Sequence, residues 1–494
     1  MCRVGRRSAP PGRAVTRAML EDGIAPRKGD RCCMTPRDIL VARPATRLAD
    51  HSTSLTEARQ RMVATGQWSA SQFMGRRWPI GCVALEITQR CNLDCTACYL
   101  SEQSEAVKDL PLEELFGRIE MIFDHYGQHT DVQVTGGDPT LRKRDELVAI
   151  VRRIREKGMR PTLLTNGIRA RRDLLQELVA VGLVDVAFHV DMTQRRRGYG
   201  DEIALNVLRQ EYIERTRGLR LPVMFNTTVT NDNFEQIPEI VAFFVRNSDT
   251  VRLASFQLQA VTGRGVLGRR DARITIGSVR RQIERGADTP LSFDTAQIGH
   301  ARCNRYAMTM VINGKVYDIL DDKALFNNVL ERTGQLPFDR QSRSAAVRTL
   351  VKAVLTSPPL ALRGAVWLGH KMWRARADLV RARGRVDKLS FLIHDFMDAC
   401  HLEKERIDAC VFAAATNGGP ISMCLHNAKR DAFILNPVEL KTGGSVSFWN
   451  PLSGETTPAP VVLHGPIALR HRVANGRLKS ARAASGTRLR TGRQ

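Results

Sequence analysis

Cys91-Asn92-Leu93-Asp94-Cys95-Thr96-Ala97-Cys98-Tyr99 places three cysteines at C-x3-C-x2-C spacing, just after the apolar run Val83-Ala84-Leu85-Glu86-Ile87-Thr88. A run of that composition and length reads as a strand. The loop at a strand's C-terminal end is where α/β proteins gather their chemistry. Three thiolates on one short loop can hold three corners of a cubane iron–sulfur cluster and leave the fourth iron without a protein ligand. A closed structural zinc site asks for four ligands, usually two C-x2-C pairs. The nearest further cysteine, Cys82, sits at the far end of the strand. The competing reading is three buried structural cysteines that share this spacing by chance.

One βα unit later, the apolar run Asp131-Val132-Gln133-Val134 ends in Thr135-Gly136-Gly137-Asp138-Pro139. Paired glycines permit a tight turn and close approach to a ligand, an acidic neighbour can take an ammonium group, and proline stiffens the turn. By itself this is an ordinary βα-loop signal. Placed after the three cysteines, it resembles the radical S-adenosylmethionine (SAM) superfamily. The family's cluster motif matches Cys91, Cys95 and Cys98. Its Gly-Gly-Glu-Pro motif matches Gly136, Gly137, Asp138 and Pro139, with Asp in place of Glu. The aromatic that the family carries before the third cysteine is Ala97 here, and Tyr99 follows that cysteine instead, beside the expected adenine.

From about Trp78 the chain alternates strand and helix patterns. Strands are expected near 83–88, 131–134, 160–165, 184–190, 221–230 and 251–259, with helices near 112–125, 145–157, 171–181, 201–216 and 234–245. Six βα repeats predict a parallel sheet curled into a partial barrel. The resemblance implies the six-unit radical SAM barrel. The expected fold class is therefore α/β, a partial (β/α)6 TIM-like barrel over 78–270, with a cysteine-containing α+β extension over 271–450. An Arg-rich arm over 1–77, partly disordered, and a basic disordered tail over 451–494 complete the expected organisation. Polar residues at the strand ends are candidate ligand contacts: Asn166, His189, Asp191 and Asn226. The resemblance implies that Asn166 and Asn226, on the third and fifth strands, help hold the ribose and carboxylate of SAM. His189 reads equally as a buried hydrogen-bonded core residue, and Asp191 as a cap or turn residue.

The 494 residues carry a net charge of +24, unevenly spread. Residues 1–50 hold 11 Lys/Arg against 5 acids, and 463–494 hold 8 against none, which leaves +10 for 51–462. Both ends are poor in periodic apolar pattern and read as disordered. The N-terminal arm also fits an organelle transit peptide, against which Glu21, Asp22 and Asp30 speak. No apolar run is long enough for a transmembrane helix. Eleven cysteines, an odd number, look unlike a disulfide framework and suit a reducing cytoplasm with metal sites. Cys32-Cys33 reads as a stray pair in a flexible arm.

Two hairpin signals lie beyond residue 300. Met308–Asn313, Gly314 and Val316–Leu320 form one, and 411–420 with Asn417-Gly418 forms the other. Cys303, Cys410 and Cys424 border these hairpins and are candidates to share a second iron–sulfur cluster, with Cys400, His300 or His426 as a fourth ligand. The alternative is buried free cysteines packed as small hydrophobes. Phe396–Ala399, Glu405–Cys410 and Gly419–Asn427, with Asp191–Arg195 and Thr262–Arg264, also resemble archaeal tetraether lipid synthase and its bacterial relatives.

Residues 339–388 carry 12 Lys/Arg against 3 acids, interleaved with Leu, Val, Met and two Trp on either side of Pro358-Pro359. Such a pattern suits a helix pair on an anionic membrane surface, as a peripheral protein. A nucleic-acid backbone is a second candidate partner, and a solvated basic face on two packed helices is the plain alternative. The superfamily resemblance implies SAM cleavage at a reduced 4Fe-4S cluster, fed by a flavodoxin or ferredoxin, and hydrogen abstraction from an unactivated carbon. Three functions stay open: a radical SAM enzyme acting on a lipid, a peptide-modifying maturase with a SPASM-like auxiliary cluster, and a non-enzymatic metal module on nucleic acid.

Overall fold

The structure, a computed structural model, describes residues 51–334, 336, 343–442 and 445–461, and two short strands at 473–474 and 477–478. The basic arm over 1–50, its Cys32-Cys33 pair and the tail beyond 461 lie outside the described residues. Part of the regions expected to be disordered is folded: α1 spans His51–Ala64, and Thr456–Thr457 pairs with Phe448 and Trp449.

The βα repeats fall where the hydrophobic pattern puts them. β1 (Cys82–Thr88) is followed by α2 (Leu112–Tyr126), β2 (Asp131–Gly136) by α3 (Arg144–Glu156), and β3 (Arg160–Thr165) by α4 (Arg172–Ala180). Next come β4 (Asp185–His189), α5 (Asn206–Thr216), β5 (Val223–Val229), α6 (Ile237–Arg246), β6 (Val251–Leu258) and α7 (Ile276–Ala287). The helix expected from Asp201 starts later because the Asp201 carboxylate accepts the Ala204 N–H at 2.7 Å and closes a separate turn first.

β1 to β6 are parallel neighbours in sequence order. Two later strands extend the run: β9 (Asp387–Asp395) lies parallel to β6, and β10 (Phe412–Thr416) parallel to β1. Both expected hairpins are present. β7 (Asn304–Ile312) and β8 (Lys315–Asp318) turn at Asn313-Gly314, both at positive φ as a two-residue hairpin turn needs. β11 (Gly419–Ser422) folds back on β10. The sheet reads β11-β10-β1-β2-β3-β4-β5-β6-β9-β7-β8 and stays open, since no pairing among the described residues joins β8 to β11.

Alternation along the strands separates two faces. Val83, Leu85, Ile87, Val132, Val134, Leu163, Phe188, Phe225 and Phe256 turn outward into one core with Leu115, Ile119, Ile150, Leu175, Ile213 and Phe244 of the helices. Each such side chain contributes about 1.5–3 kcal/mol when fully buried. Residues one position along point to the concave face, and there Gln133, Leu164, His189, Asn226 and Gln257 are only half-buried. The barrel thus has an apolar outside and a polar, accessible lumen.

The distal basic segment forms α9 (Arg343–Leu355) and α10 (Pro358–Arg381), after α8 (Lys323–Thr333). The chain then adds α11 (Lys404–Asp408), α12 (Met423–Ala428) and α13 (Arg430–Ile434). Among the described residues, no helix is long and apolar enough to cross a membrane.

Candidate cluster and cofactor site

The three-cysteine loop leaves the C-terminal end of β1 and is held from several sides. Leu93 and Leu100 bury themselves with Cys91, and Ile168 packs on them. Thr96 N–H donates to Thr193 O at 2.7 Å, Val266 N–H to Thr96 O at 2.8 Å, and Arg264 N–H to Leu100 O at 2.6 Å. Cys91 is buried, while Cys95 and Cys98 are half-exposed. Burial pushes the Cys91 thiol up to about 11, with Asp138 and Cys98 adding to the rise. Burial raises Cys95 further, helped by the negative charges of Cys98 and Cys91. Cys91 and Cys95 therefore resist ionisation as free thiols, which a metal cluster would relieve.

The glycine turn is built against this loop. A Cβ on Gly136, whose φ is +134°, would lie 2.0 Å from Thr88 O; one on Gly137 would lie 2.1 Å from Arg90 O and 2.9 Å from the Cys91 Cβ. Only glycine permits this approach. Gly137 N–H donates to Thr88 O at 2.9 Å and Asp138 N–H to Arg90 O at 2.8 Å, so turn and loop share backbone hydrogen bonds. Tyr99 O–H donates to Gly136 O at 2.7 Å, and the Arg430 guanidinium lies 4.8 Å over the Tyr99 ring.

Asp138 is fully buried. Its carboxylate accepts from Thr140 N–H at 3.0 Å, the Thr140 hydroxyl, the Thr165 hydroxyl at 2.8 Å and Asn166 N–H at 2.9 Å. The ammonium contact expected from the sequence would need an oxygen that faces a ligand, and these oxygens instead clasp the ends of β2 and β3. Burial raises the Asp138 carboxyl above its ordinary value, against those four hydrogen bonds. Pro139 opens the short turn Pro139–Leu141 that Asp138 caps. Asn166 meets the cysteine loop directly: its amide donates to Asn92 Oδ1 at 2.6 Å and lies 4.0 Å from Cys91 Sγ. Asn226 pairs in register with His189 and Ser255 on the lumen face, half-buried.

Asp191 is a structural bolt. It accepts from His189 Nε2 at 2.7 Å, Thr193 N–H at 3.0 Å and Thr228 N–H at 2.8 Å, and is fully buried. His189 keeps part of its ring exposed to the lumen. Burial works against its charge, but the Asp191 carboxylate outweighs that and raises its pKa above 6.5.

Sequence reasoning passed over two cationic residues at this site. Arg264 is buried, with Nη1 2.7 Å from Glu105; burial disfavours its charge, and Cys98 and Glu105 more than restore it. Arg430 is buried against Glu86, with Nη1 2.7 Å from both carboxylate oxygens. Burial pushes Glu86 up, yet Arg430 and His426 hold it down at about 2. Nothing local marks either arginine; their partners are 159 and 344 residues away in sequence.

A second group of thiols gathers where the flanks of the open sheet meet. His394, at the end of β9, lies 4.9 Å from the Phe412 ring at the start of β10. In this seam Cys303, Cys410 and Cys424 line one small cavity with His394, Asn304, Met397 and Arg406. Arg406 Nε donates to Cys303 Sγ at 3.2 Å. Burial raises the Cys424 thiol strongly, and Cys410 and Cys303 add to the rise. Cys400 does not line this cavity. His426 faces Glu86 at 3.9 Å in a different cavity, and His300 is absent from the seam lining. His394, which the sequence reading did not single out, is the histidine the fold brings to these thiols.

Among the described residues, no three His, Cys, Asp or Glu side chains are placed to share a single metal ion.

Residues 85–244, which hold the three-thiol loop, the glycine turn and β2 to β5, match the model of the Radical SAM superfamily. The family's cofactors are a 4Fe-4S cluster and SAM. Similar proteins include a PqqA peptide cyclase of Bradyrhizobium diazoefficiens, 30% identical over 183 residues, which covers 35% of this chain and 46% of the cyclase. A probable GTP 3′,8-cyclase of Pyrococcus abyssi is 32% identical over 168 residues, covering 33% of this chain and 53% of that protein. The chain thus spans about half the length of these curated relatives. Streptococcus suis SuiB bound to S-adenosylmethionine is similar at 18% identity over 42% of this chain and 47% of SuiB, with a TM-score of 0.33, a likeness that places no residue.

Proposed function

We propose that the chain is a radical SAM enzyme in which Cys91, Cys95 and Cys98 hold a 4Fe-4S cluster and SAM occupies the corner they leave open. The packing of the Gly136-Gly137 turn on Arg90 O and the Cys91 Cβ carries this reading, because it holds the turn directly against the three-cysteine loop. When bound and reduced, the cofactor pair supplies a 5′-deoxyadenosyl radical that takes a hydrogen atom from an unactivated carbon. The protein's part is to bind, orient and exclude water. Gly136 and Gly137 offer backbone groups to the amino-acid end of SAM, and Asp138 fixes their position from behind. Asn166 and Asn226 offer amides to its ribose and carboxylate, and Tyr99 pins the loop. A flavodoxin or ferredoxin supplies the electron.

The seam thiols Cys303, Cys410 and Cys424 hold a second iron–sulfur cluster on the same reading. Its support is their convergence, from three separate elements, on one cavity with a guanidinium 3.2 Å from a sulfur. Electron exchange with the first site or ligation of substrate are the roles such a cluster has.

For the substrate, two readings rest on different observations. A lipid or other hydrophobic chain is favoured by the exposed apolar faces of α9 and α10. A peptide is favoured by the similarity to PqqA peptide cyclases together with the distal thiols. A non-catalytic module on nucleic acid has less support, since the matched relatives carry enzyme names. Anaerobic incubation with SAM and dithionite, followed by chromatography for 5′-deoxyadenosine, tests the activity. Turnover in the wild type and none in Cys95→Ala is expected; a wild type with its full iron content and no 5′-deoxyadenosine would overturn the proposal.

A further inference from the structure

We infer that α9 and α10 form a docking face for an anionic lipid surface, on which this protein lies without crossing it. The inference stands on the exterior of the helix pair, apart from the cysteine sites.

α10 has two faces with different fates. Its inner face is bolted to the body: Trp367 Nε1 donates to Asp321 at 3.0 Å, Lys371 Nζ to Asp318 O at 2.6 Å, and Arg363 to Asp322 at 2.7 Å. On the same side Asp378 accepts from Asn313 at 2.9 Å and Tyr317 at 2.7 Å, and Leu360 and Ala375 are buried. The opposite face needs nothing from the body, yet it is apolar. Leu362, Val366, Trp373 and Val380 recur there at helical spacing with exposures of 69%, 52%, 67% and 78%. α9 repeats the pattern with Val347, Val351 and Leu355, again exposed. With Leu368 and Met372, the pair holds nine of the seventeen exposed large apolar residues among the described residues, far more than scattered surface residues would place in two helices.

Charge decides the occupant. Lys352, Arg374, Arg376 and Arg381 are exposed beside the apolar stripe, and the Arg376 guanidinium lies 4.0 Å over the Trp373 ring. The chain's own ends are strongly basic and a second copy carries +24, so both are repelled by this face. A nucleic-acid backbone would answer the charge but not bury leucine, valine and methionine. An anionic bilayer answers both: apolar side chains enter the acyl boundary and each nearby cation is attracted to the negative headgroups. Pro358, at the first position of α10, starts the second helix directly after α9.

The test uses the full-length protein and flotation with vesicles of phosphatidylcholine alone or with about one-third phosphatidylglycerol, which suffices for a strongly negative surface. The comparison variant is Leu362→Gln/Val366→Gln/Trp373→Gln, checked for an unchanged melting curve. Expected is binding to the anionic vesicles, at least tenfold weaker to phosphatidylcholine, and at least tenfold weaker for the variant. Equal binding of variant and wild type would assign the attraction to the basic ends and overturn the inference. So would no binding at all, or a wild-type dimer in light scattering that the variant loses. SAM cleavage measured without vesicles keeps the outcomes separate: its loss alone strikes the cysteine-site reading and leaves the docking face untouched.

Discussion

The Tyr99 hydroxyl donates to Gly136 O at 2.7 Å, tying the residue after the third cysteine to the first glycine of the turn. Two motifs 37 residues apart are thereby one rigid object. Tyr99→Phe keeps the ring beneath Arg430 and removes the hydroxyl that makes this bond, worth about 1 kcal/mol. Iron content is expected to be unchanged while SAM affinity, followed by isothermal calorimetry under anaerobic conditions, falls about fivefold. An unaltered affinity would show that the bond does not position the turn.

Arg264 is a buried cation facing Cys98. A positive charge beside a cluster favours its reduced, more negative state. Arg264→Gln is expected to make the potential more negative by roughly 70–140 mV, the effect of a unit charge about 5–10 Å away at an effective dielectric near 20. Redox titration followed by electron paramagnetic resonance reads this directly. A merely structural role would lower iron occupancy and leave the potential of the remaining cluster where it was.

The seam thiols predict an iron count. Reconstituted wild type should hold about four more iron atoms than a Cys303→Ala/Cys410→Ala/Cys424→Ala variant, the content of one cubane. Cys400→Ala should lose none, since Cys400 does not line the seam cavity. Equal iron in the triple variant and the wild type would return these cysteines to ordinary buried packing.

His189 links stability to pH. Its pKa is raised in the folded state by Asp191, so the stabilisation is fully present below about 6.5 and is lost as pH rises through the folded value. Urea unfolding at pH 6.0 and 8.5 should show the wild type losing stability relative to His189→Asn as the pH rises. Parallel behaviour of the two proteins would mean the ring is neutral in both states.

How far the sequence could be read depended on how local each signal was. Cys91, Cys95 and Cys98 share one loop, Gly136 and Gly137 share one turn, and six apolar runs alternate with five helical patterns. Each is set within a dozen residues, by spacing and by the steric demands of glycine, so the partial barrel and its first cysteine site were legible. The distal hairpins were legible for the same reason, through Asn313-Gly314 and Asn417-Gly418. Asp138 was read as open to a ligand, because the four donors that occupy it come from Thr140, Thr165 and Asn166 and only the fold assembles them.

By itself the chain determined the periodic elements, the three-thiol loop and the concentration of basic and apolar residues between 339 and 388. Only tertiary structure decided that β9 and β10 flank the barrel, that Cys303, Cys410 and Cys424 meet in its seam with His394 and Arg406, and that Arg264 and Arg430 stand beside the first site. The physical reason is separation along the chain. Contacts between residues a hundred or more positions apart leave no periodicity to read, since they form when buried charges and strand edges find their partners in the packed sheet.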